Sequence, residues 1–497
     1  MTAIRLVDVS VRDGNQSIWG AVGLRTEHIV TMAPLLARAG FRTLDFSSST
    51  AMGVAVRNHR QNPWERNRLV RKLMPDTHLQ FIGTGLRFIS WDLAHPDVMQ
   101  LVYDRLVDSG ISRVVVLDPM HDLGAMLDTA RMCKSAGVAE VIVALTYTIS
   151  EVHDDAFYGR LAAAVAGCPD MDRAYLKDPA GILSPERART LLPTIQAALA
   201  GKPLELHSHC TIGLSQFSYL VAAELGVEHL QVGCGALGNG SSLPQARQLV
   251  ANLREAGHTV DVDDRALALV SDFIDDLARA EGLPAGGPGG YDAAFTRHQV
   301  AGGVLTTTRR QLAEIGHEHR FDEVIAEVEQ VRAELGYPIM VTPFPQIVCS
   351  QALFNVIGAQ RYDTVADQVI RYALGTFGKP PAPIDPDVLD RILGRPRAAE
   401  IRDEPDPSTP AQLRARFGTR IPDEELLLRA SMPAEHVDAM LAAGPAPTHY
   451  DPAVFQLTRL LRGVAARPPL RALAVTAPGV HLALAGSPAS DGGSGDR

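Results

Sequence analysis

Paired cysteines, lysines and long apolar runs are what this 497-residue sequence has least of. Its five cysteines, Cys133, Cys168, Cys210, Cys234 and Cys349, are scattered with no CxxC pair, which argues against a disulfide framework and for a reducing compartment. No apolar run approaches the roughly 18 residues that a membrane helix needs. The opening MTAIRLVDVSVRDG has neither the basic nor the apolar region of a secretion signal. The expectation is therefore a cytoplasmic protein with no membrane span. A net charge of −10 leaves no broadly basic surface, so neither nucleic acid nor an anionic membrane is expected as a main partner. Lysine is scarcer still: of 47 basic residues only Lys72, Lys134, Lys177, Lys202 and Lys379 are lysine. Base composition of the genome accounts for most of the arginine excess, but it makes each surviving lysine worth a question.

What is present is a globular composition, 46% hydrophobic and 21% charged, at a length that suits one large domain and a smaller one. From residue 4 to about 256, short apolar runs alternate with longer amphipathic stretches. The runs are 4–11, 43–47, 79–84, 113–118, 140–148, 173–178, 204–209 and 229–234. Eight such units predict a (β/α)8 barrel. An open doubly wound sheet is the rival, and it lacks the early GxGxxG. The expected layout is a barrel over 1–259, a helical funnel over 260–395 and a tail region over 396–486. Within that last region, the charged, proline-rich stretch 396–412 reads as a linker or loop, further helices follow, and 471–486 is a short two-strand pattern. The final SPASDGGSGDR reads as disordered.

In such a barrel the chemistry sits at the C-terminal ends of the strands. There the sequence offers Arg12-Asp13 on strand 1, Lys177-Asp178 on strand 6 and His207-Ser208-His209 on strand 7. Two histidines two apart on a strand face the same side. With Asp13 they make a candidate metal set, against the plainer reading of hydrogen-bonded histidines at the barrel mouth. A second pair, His317-Glu318-His319, lies between helices and reads as solvated. Lys177 either pairs with Asp178 or Asp13, or it is carbamylated: an amine whose pKa is lowered by burial adds CO2 and becomes an anionic ligand. Cys210 points to the other face of strand 7 and reads as packing.

VSVRDGNQS (9–17), NPWERNRLVRKLMPDTHLQF (62–81), YLKDPAGILSP (175–185), LELHSHCTIG (204–213), AGGVLT (301–306) and MVTPFPQIV (340–348) together resemble the biotin-dependent carboxyltransferase family. That family comprises the carboxyltransferase part of pyruvate carboxylase, the oxaloacetate decarboxylase α subunit and a transcarboxylase subunit. The resemblance runs over about residues 4–395 and more faintly to about 440. It implies a barrel with a helical funnel, a divalent metal (Zn, Mn or Co) on Asp13, His207, His209 and the carbamate of Lys177, and a homodimer. It also implies that Thr342 passes the proton between acceptor and biotin, and that Gln16 lies near the acceptor. The wider superfamily of isopropylmalate synthases and hydroxymethylglutaryl-CoA lyase resembles the RDG-x-Q and H-x-H motifs, so an aldol-type lyase or synthase is the alternative. A non-catalytic scaffold subunit is a third. Lys177 and the VTP block favour carboxyl transfer.

Departures from the family pattern fall in the expected pocket. Asn15 stands where the family has histidine. Thr84 replaces the arginine that pairs with the acceptor carboxylate, and a second arginine is missing from Ala21-Val22-Gly23. The acceptor is thus expected not to be pyruvate bound in the usual way, with Asn15, Thr84 and Arg87 among the groups that would meet it. Cys210 replaces an aspartate, and Gly233–Asn239 replaces a serine-rich block. None of the five lysines lies between methionines and none follows Lys379, so biotin is expected in trans, on a carrier protein loaded by a separate biotin carboxylase. The 471–486 strand pair either docks such a partner or is a plain capping hairpin.

Overall fold

The structure, a computed structural model, describes residues 2–90, 92–300, 302–451, 472–477 and 480–485. The expected disordered tail, 487–497, lies outside the described residues. Among them, eight parallel strands close a barrel: β1 (Ala3–Asp8), β2 (Thr43–Ser48), β3 (His78–Gly83), β4 (Arg113–Val116), β5 (Glu140–Thr146), β6 (Arg173–Asp178), β7 (Leu204–Ser208) and β8 (His229–Val232). Closure is direct, since β1 pairs with β8 at Val7↔Gln231 and with β2 at Val7↔Thr43. β4 (RVVV) carries the β-branched run of a strand covered on both faces and is buried throughout. The crossover helices start where proline and a capping side chain coincide: Asn62 caps Pro63–Leu73, and Ser184 caps Pro185–Ala198. A two-residue strand, β9 (Thr259–Val260), adds to β1 outside the closed ring.

Strand 1 is shorter than its apolar pattern predicts. The Asp8 carboxylate takes the N–H and hydroxyl of Ser10 at 3.1 and 2.8 Å, which closes the chain into a wide helical turn, Ser10–Gly14. Arg12 and Asp13 therefore stand on that turn above the strand rather than on its last residues.

Two apolar clusters organise the rest. The barrel cluster includes the helix Asp264–Glu281, through Leu267, Val270, Ile274 and Leu277. It also includes Leu413, Leu426–Leu428, Val437 and Met440 from the helices Pro410–Phe417, Asp423–Ser431 and Ala434–Ala443. A second cluster joins the helices Gly302–Glu314, Phe321–Glu334, Phe344–Ile357, Asp367–Ala373, Pro386–Leu393 and Pro396–Arg402. The chain thus leaves the barrel, builds a helical unit and returns to the barrel wall. The stretch 396–412, expected as a linker, holds one helix and the start of another. Pro396 and Pro410 open them, Ala398 and Ile401 bury apolar surface, and a Thr409–Gln412 capping box fixes the second. The C-terminal strand pair forms an antiparallel hairpin, β10 (Ala472–Ala477) with β11 (Val480–Ala485).

The return to the barrel is measurable. Leu427→Ala, at 1% exposure, should cost about 2–5 kcal/mol in denaturant unfolding. Leu441→Ala, at 45% exposure, should stay within about 0.5 kcal/mol. Equal effects would mean that residues 413–443 do not belong to the barrel core.

Candidate active site

Asp13, Lys177, His207 and His209 converge at the C-terminal end of the barrel. β6 presents Lys177 and β7 presents His207, while His209 continues the strand direction through its N–H to Asp178 O at 3.0 Å. Beneath them Asp178 is structural: its carboxylate accepts the N–H groups of Gly181, Ile182 and Leu183 and the hydroxyl of Ser208. Gly181 has a positive φ, and a Cβ there would lie 2.3 Å from His209 O, so only glycine lets this loop support His209.

The distances are those of one tight group. Nε2 of His207 is 3.1 Å from Nε2 of His209, 3.3 Å from Asp13 Oδ2 and 2.8 Å from Lys177 Nζ. His209 Nε2 is 3.5 Å from Asp13 Oδ1, and Lys177 Nζ is 3.4 Å from Asp13 Oδ2. Of the two alternatives for an ion pair, Lys177 takes Asp13 and not Asp178. Both imidazoles are held from behind. The Gln231 side chain donates to Glu205 Oε2 at 3.0 Å, which turns its carbonyl to accept from His207 Nδ1 at 2.7 Å. Ser241 O accepts from His209 Nδ1 at 2.6 Å. Both Nε2 lone pairs are therefore aimed at the same point and at a carboxylate. Two acceptors and an anion crowded together in a buried site fit a divalent cation. Among the described residues this is the one group of three or more His, Cys, Asp or Glu side chains with ligand atoms all within 4.8 Å of one another.

Electrostatics follow from burial. Desolvation would raise the Asp13 carboxyl, but the Arg12 guanidinium and Lys177 overcome it and hold Asp13 well below the usual carboxylate range. Burial, followed by the nearby Lys177, pushes His207 down to about 3, leaving a neutral imidazole. Burial also lowers Lys177, against the pull of Asp13. Arg12 bridges Asp13 at 2.8 Å and Asp45 at 2.5 Å, and Gln80 steadies Asp45 at 3.0 Å. Deeper in the barrel, Glu205 accepts from Arg113 at 2.6 Å and Arg173 at 2.9 Å, so the ionic column runs from the barrel interior to the site.

Above the group lies a cavity of about 470 Å³, walled on one side by Asp13, Lys177 and His209 and on the other by the helical unit. His207 is wholly buried behind it. Gln16, Thr84, Arg87 and Thr342 all line this cavity. Thr342 is exposed to it just before the helix Phe344–Ile357. Arg87 lies over the Phe377 ring, 4.7 Å from its centroid, and donates to Thr376 O at 2.8 Å. Asn15 does not join them. Its amide donates to Ala21 O and accepts the N–H groups of Gly23 and Leu24, so it shapes the loop beneath the site instead of meeting an acceptor. Cys210 is buried off the cavity, its thiol pushed up to about 12 by desolvation. His317 and His319 stand beside a short surface turn, ring centroids 5.9 Å apart.

Residue types alone gave no reason to single out Gln231 or the neutral wall formed by Thr307, Thr308, Gln311 and Gln346. A glutamine inside the buried strand HLQV is the one signal that could have found Gln231.

Residues 296–444 match a family described as a conserved carboxylase domain. The chain is 32% identical over 393 residues to a pyruvate carboxylase subunit of Methanocaldococcus jannaschii, covering 78% of this chain and 68% of that protein. It is 28% identical over 461 residues to the 2-oxoglutarate carboxylase large subunit of Hydrogenobacter thermophilus, covering 90% of this chain and 70% of that protein. It is 29% identical over 389 residues to the methylmalonyl-CoA carboxyltransferase 5S subunit of Propionibacterium freudenreichii subsp. shermanii, covering 78% and 76%. In three dimensions it matches the carboxyl transferase domain of Rhizobium etli pyruvate carboxylase with pyruvate. The TM-score is 0.80 at 22% identity, over 92% of this chain and 80% of that one. Against a longer structure of that pyruvate carboxylase it spans 46% of the chain. At that identity the likeness speaks for the fold.

The buried column gives a pH prediction. Burial would raise Glu205, but Arg113 and Arg173 lower it from 4.5 to about 2. A depressed carboxyl contributes stability above pH 4.5 that is lost as pH falls through about 2. Glu205→Gln should therefore cost about 3–5 kcal/mol near neutrality, and its deficit relative to wild type should shrink as the pH falls through that window. A pH-independent deficit would contradict the network.

Proposed function

The chain belongs to the family of biotin-dependent carboxyltransferases related to pyruvate carboxylase, and from that premise we propose what it does. It moves a carboxyl group between biotin on a separate carrier protein and an enolisable carbonyl compound of the 2-oxo acid type. The observation that carries this reading is one cavity shared by Asp13, Lys177 and His209 from the barrel and Thr342 from the helical unit. The relatives named above are carboxylase and carboxyltransferase components, so neither an aldol-type lyase nor a scaffold is favoured.

Asp13, His207, His209 and Lys177 as its carbamate would hold a divalent metal, Zn, Mn or Co. When bound, the metal supplies a Lewis acid that eases negative charge onto the acceptor's carbonyl oxygen. Burial favours the neutral Lys177 amine, the form that adds CO2. Thr342 carries the proton, because a hydroxyl is donor and acceptor at once. It gives its proton to the ureido group of biotin as the carboxyl leaves and recovers one from the α-carbon of the acceptor, which then takes up the CO2. Decarboxylation runs the same steps backwards. Gln16 contacts the acceptor. Thr84 cannot pair with its carboxylate, and Arg87, three residues on, takes that part. A carrier protein and a biotin carboxylase complete the system, and a homodimer is the assembly expected of the family. Among the described residues no helix is long and apolar enough to cross a membrane.

Thr342→Ala should abolish transfer while metal content, read by elemental analysis, stays at the wild-type level; retained transfer would remove the shuttle role. Intact mass at neutral pH should show one CO2 on Lys177 that acid removes, and a metal-loaded chain with unmodified Lys177 would count against the ligand set. Across a panel of pyruvate and 2-oxoglutarate, Arg87→Met should raise the acceptor KM at least about tenfold with kcat less affected. An unchanged KM would free Arg87 of the carboxylate.

A further inference from the structure

Arg332 lies on the helix Phe321–Glu334, outside the metal-ligand group, and is 4% exposed. Among the described residues no carboxylate lies within ion-pair distance of it, and burial lowers it to about 10. Its three bonds go to neutral oxygens on two different units. Nε donates to Pro338 O at 3.1 Å, one terminal nitrogen to Ile149 O at 2.9 Å and the other to Thr148 Oγ1 at 2.7 Å. An apolar side chain of similar size would fill this space without the cost of burying a charge. A planar fork with donors in fixed directions is what the site uses, and that is a means of setting geometry.

Each end of the fork leads to a residue of the site. Pro338 precedes Thr342 by four residues, and the chain between them has little freedom. Tyr337 holds a positive φ with its N–H on Arg332 O at 2.9 Å, Val341 N–H bonds Ile339 O at 2.7 Å, and Phe344 N–H bonds Val341 O at 3.0 Å. On the barrel side, Thr148 and Ile149 follow Tyr147, whose N–H bonds Lys177 O at 2.6 Å, and Thr146 pairs with Lys177 between β5 and β6. Gln299 grips the same barrel residues from the start of the helical unit: its carbonyl accepts from Thr148 Oγ1 at 2.7 Å and its amide donates to Ile149 O at 2.8 Å.

We propose that Arg332 is a positioning residue that fixes the Thr342 loop against the β5–β6 edge carrying Lys177, and so sets the reach of proton transfer. This rests on Thr342 being the proton carrier, and the test separates the two claims. Amide hydrogen exchange on the full chain needs no substrate: in Arg332→Met, residues 337–344 should exchange at least about tenfold faster while β1–β8 stay protected. Unchanged exchange over 337–344, or a loss spread over the whole barrel, overturns the proposal. With free N-carboxybiotin as carboxyl donor and pyruvate or 2-oxoglutarate as acceptor, Arg332→Met should lower kcat about 10–100-fold at near-constant KM. An unchanged kcat overturns it, whereas wild-type transfer by Thr342→Ala alone overturns the shuttle and not the clamp. Arg332→Lys, which keeps the charge and stem, should recover part of the kcat; Lys and Met variants of equal rate would contradict the fork geometry.

Discussion

A carboxylate with almost no contact with water has to be matched by positive charge or by hydrogen-bond donors, and at Asp13 the match comes from three directions at once. Arg12 reaches it from the same turn, Lys177 from β6, and Ser17 donates from one helical turn further on at 2.8 Å. The imidazoles of His207 on β7 and of His209 just beyond it complete the ring around it. Removing Arg12 or Lys177 leaves the Asp13 charge uncompensated in a poorly solvated space, at a cost of several kcal/mol. The same requirement propagates downward. Arg12 needs Asp45, Asp45 takes Gln80, His207 needs Gln231, and Gln231 ends on Glu205 with its two arginines. The polar side of the barrel interior is therefore one connected column, beside an apolar patch of Ile82, Val115, Leu117, Ile142, Ala144 and Tyr175.

Such a column holds the barrel wall of the site rigid but leaves the opposite wall to a different packing unit. Thr342 belongs to a helical cluster with its own apolar core, so its distance from Lys177 depends on how the two units are joined. Within the described residues that joint has a polar part, where Arg332 and Gln299 meet the segment just beyond β5, and an apolar part, where Met120 from the loop after β4 reaches into the helical core. A neutral wall of hydroxyls and amides facing a charged wall gives the cavity two chemical halves, one suited to anionic chemistry and one to an uncharged ring or chain.

Much of this was legible in the amino-acid order. Eight apolar runs predicted eight strands, because strands buried on both faces carry short, predominantly apolar sequence. His207 and His209 were legible as a pair because a strand repeats every two residues. Other features were not. Strand 1 reads as apolar to Val11, yet Ser10 is drawn onto Asp8 and the chain turns early, a local side-chain bond outweighing β propensity. Asn15 reads as a pocket residue by position, but three backbone groups nearby claim its amide. The stretch 396–412 has the composition of a linker, and its short helices form because Ala398, Ile401 and Leu413 find apolar clusters to enter. Arg332 looks like any helix-surface arginine until its acceptors, 183 and 184 residues away in sequence, are known.

The order of residues by itself determined the barrel, the residue types at its mouth and the absence of a lysine between methionines. These depend on periodicity and identity, which are local properties. Only the tertiary structure decided that Lys177 turns to Asp13 and not to Asp178, that both imidazoles are held by partners at Nδ1, that Asn15 leaves the pocket, and that the Arg332 guanidinium ties Pro338 to Thr148 and Ile149. Each of these is a choice among partners distant in sequence. It is settled by which buried charge or donor would otherwise go unmatched once the chain has closed around it.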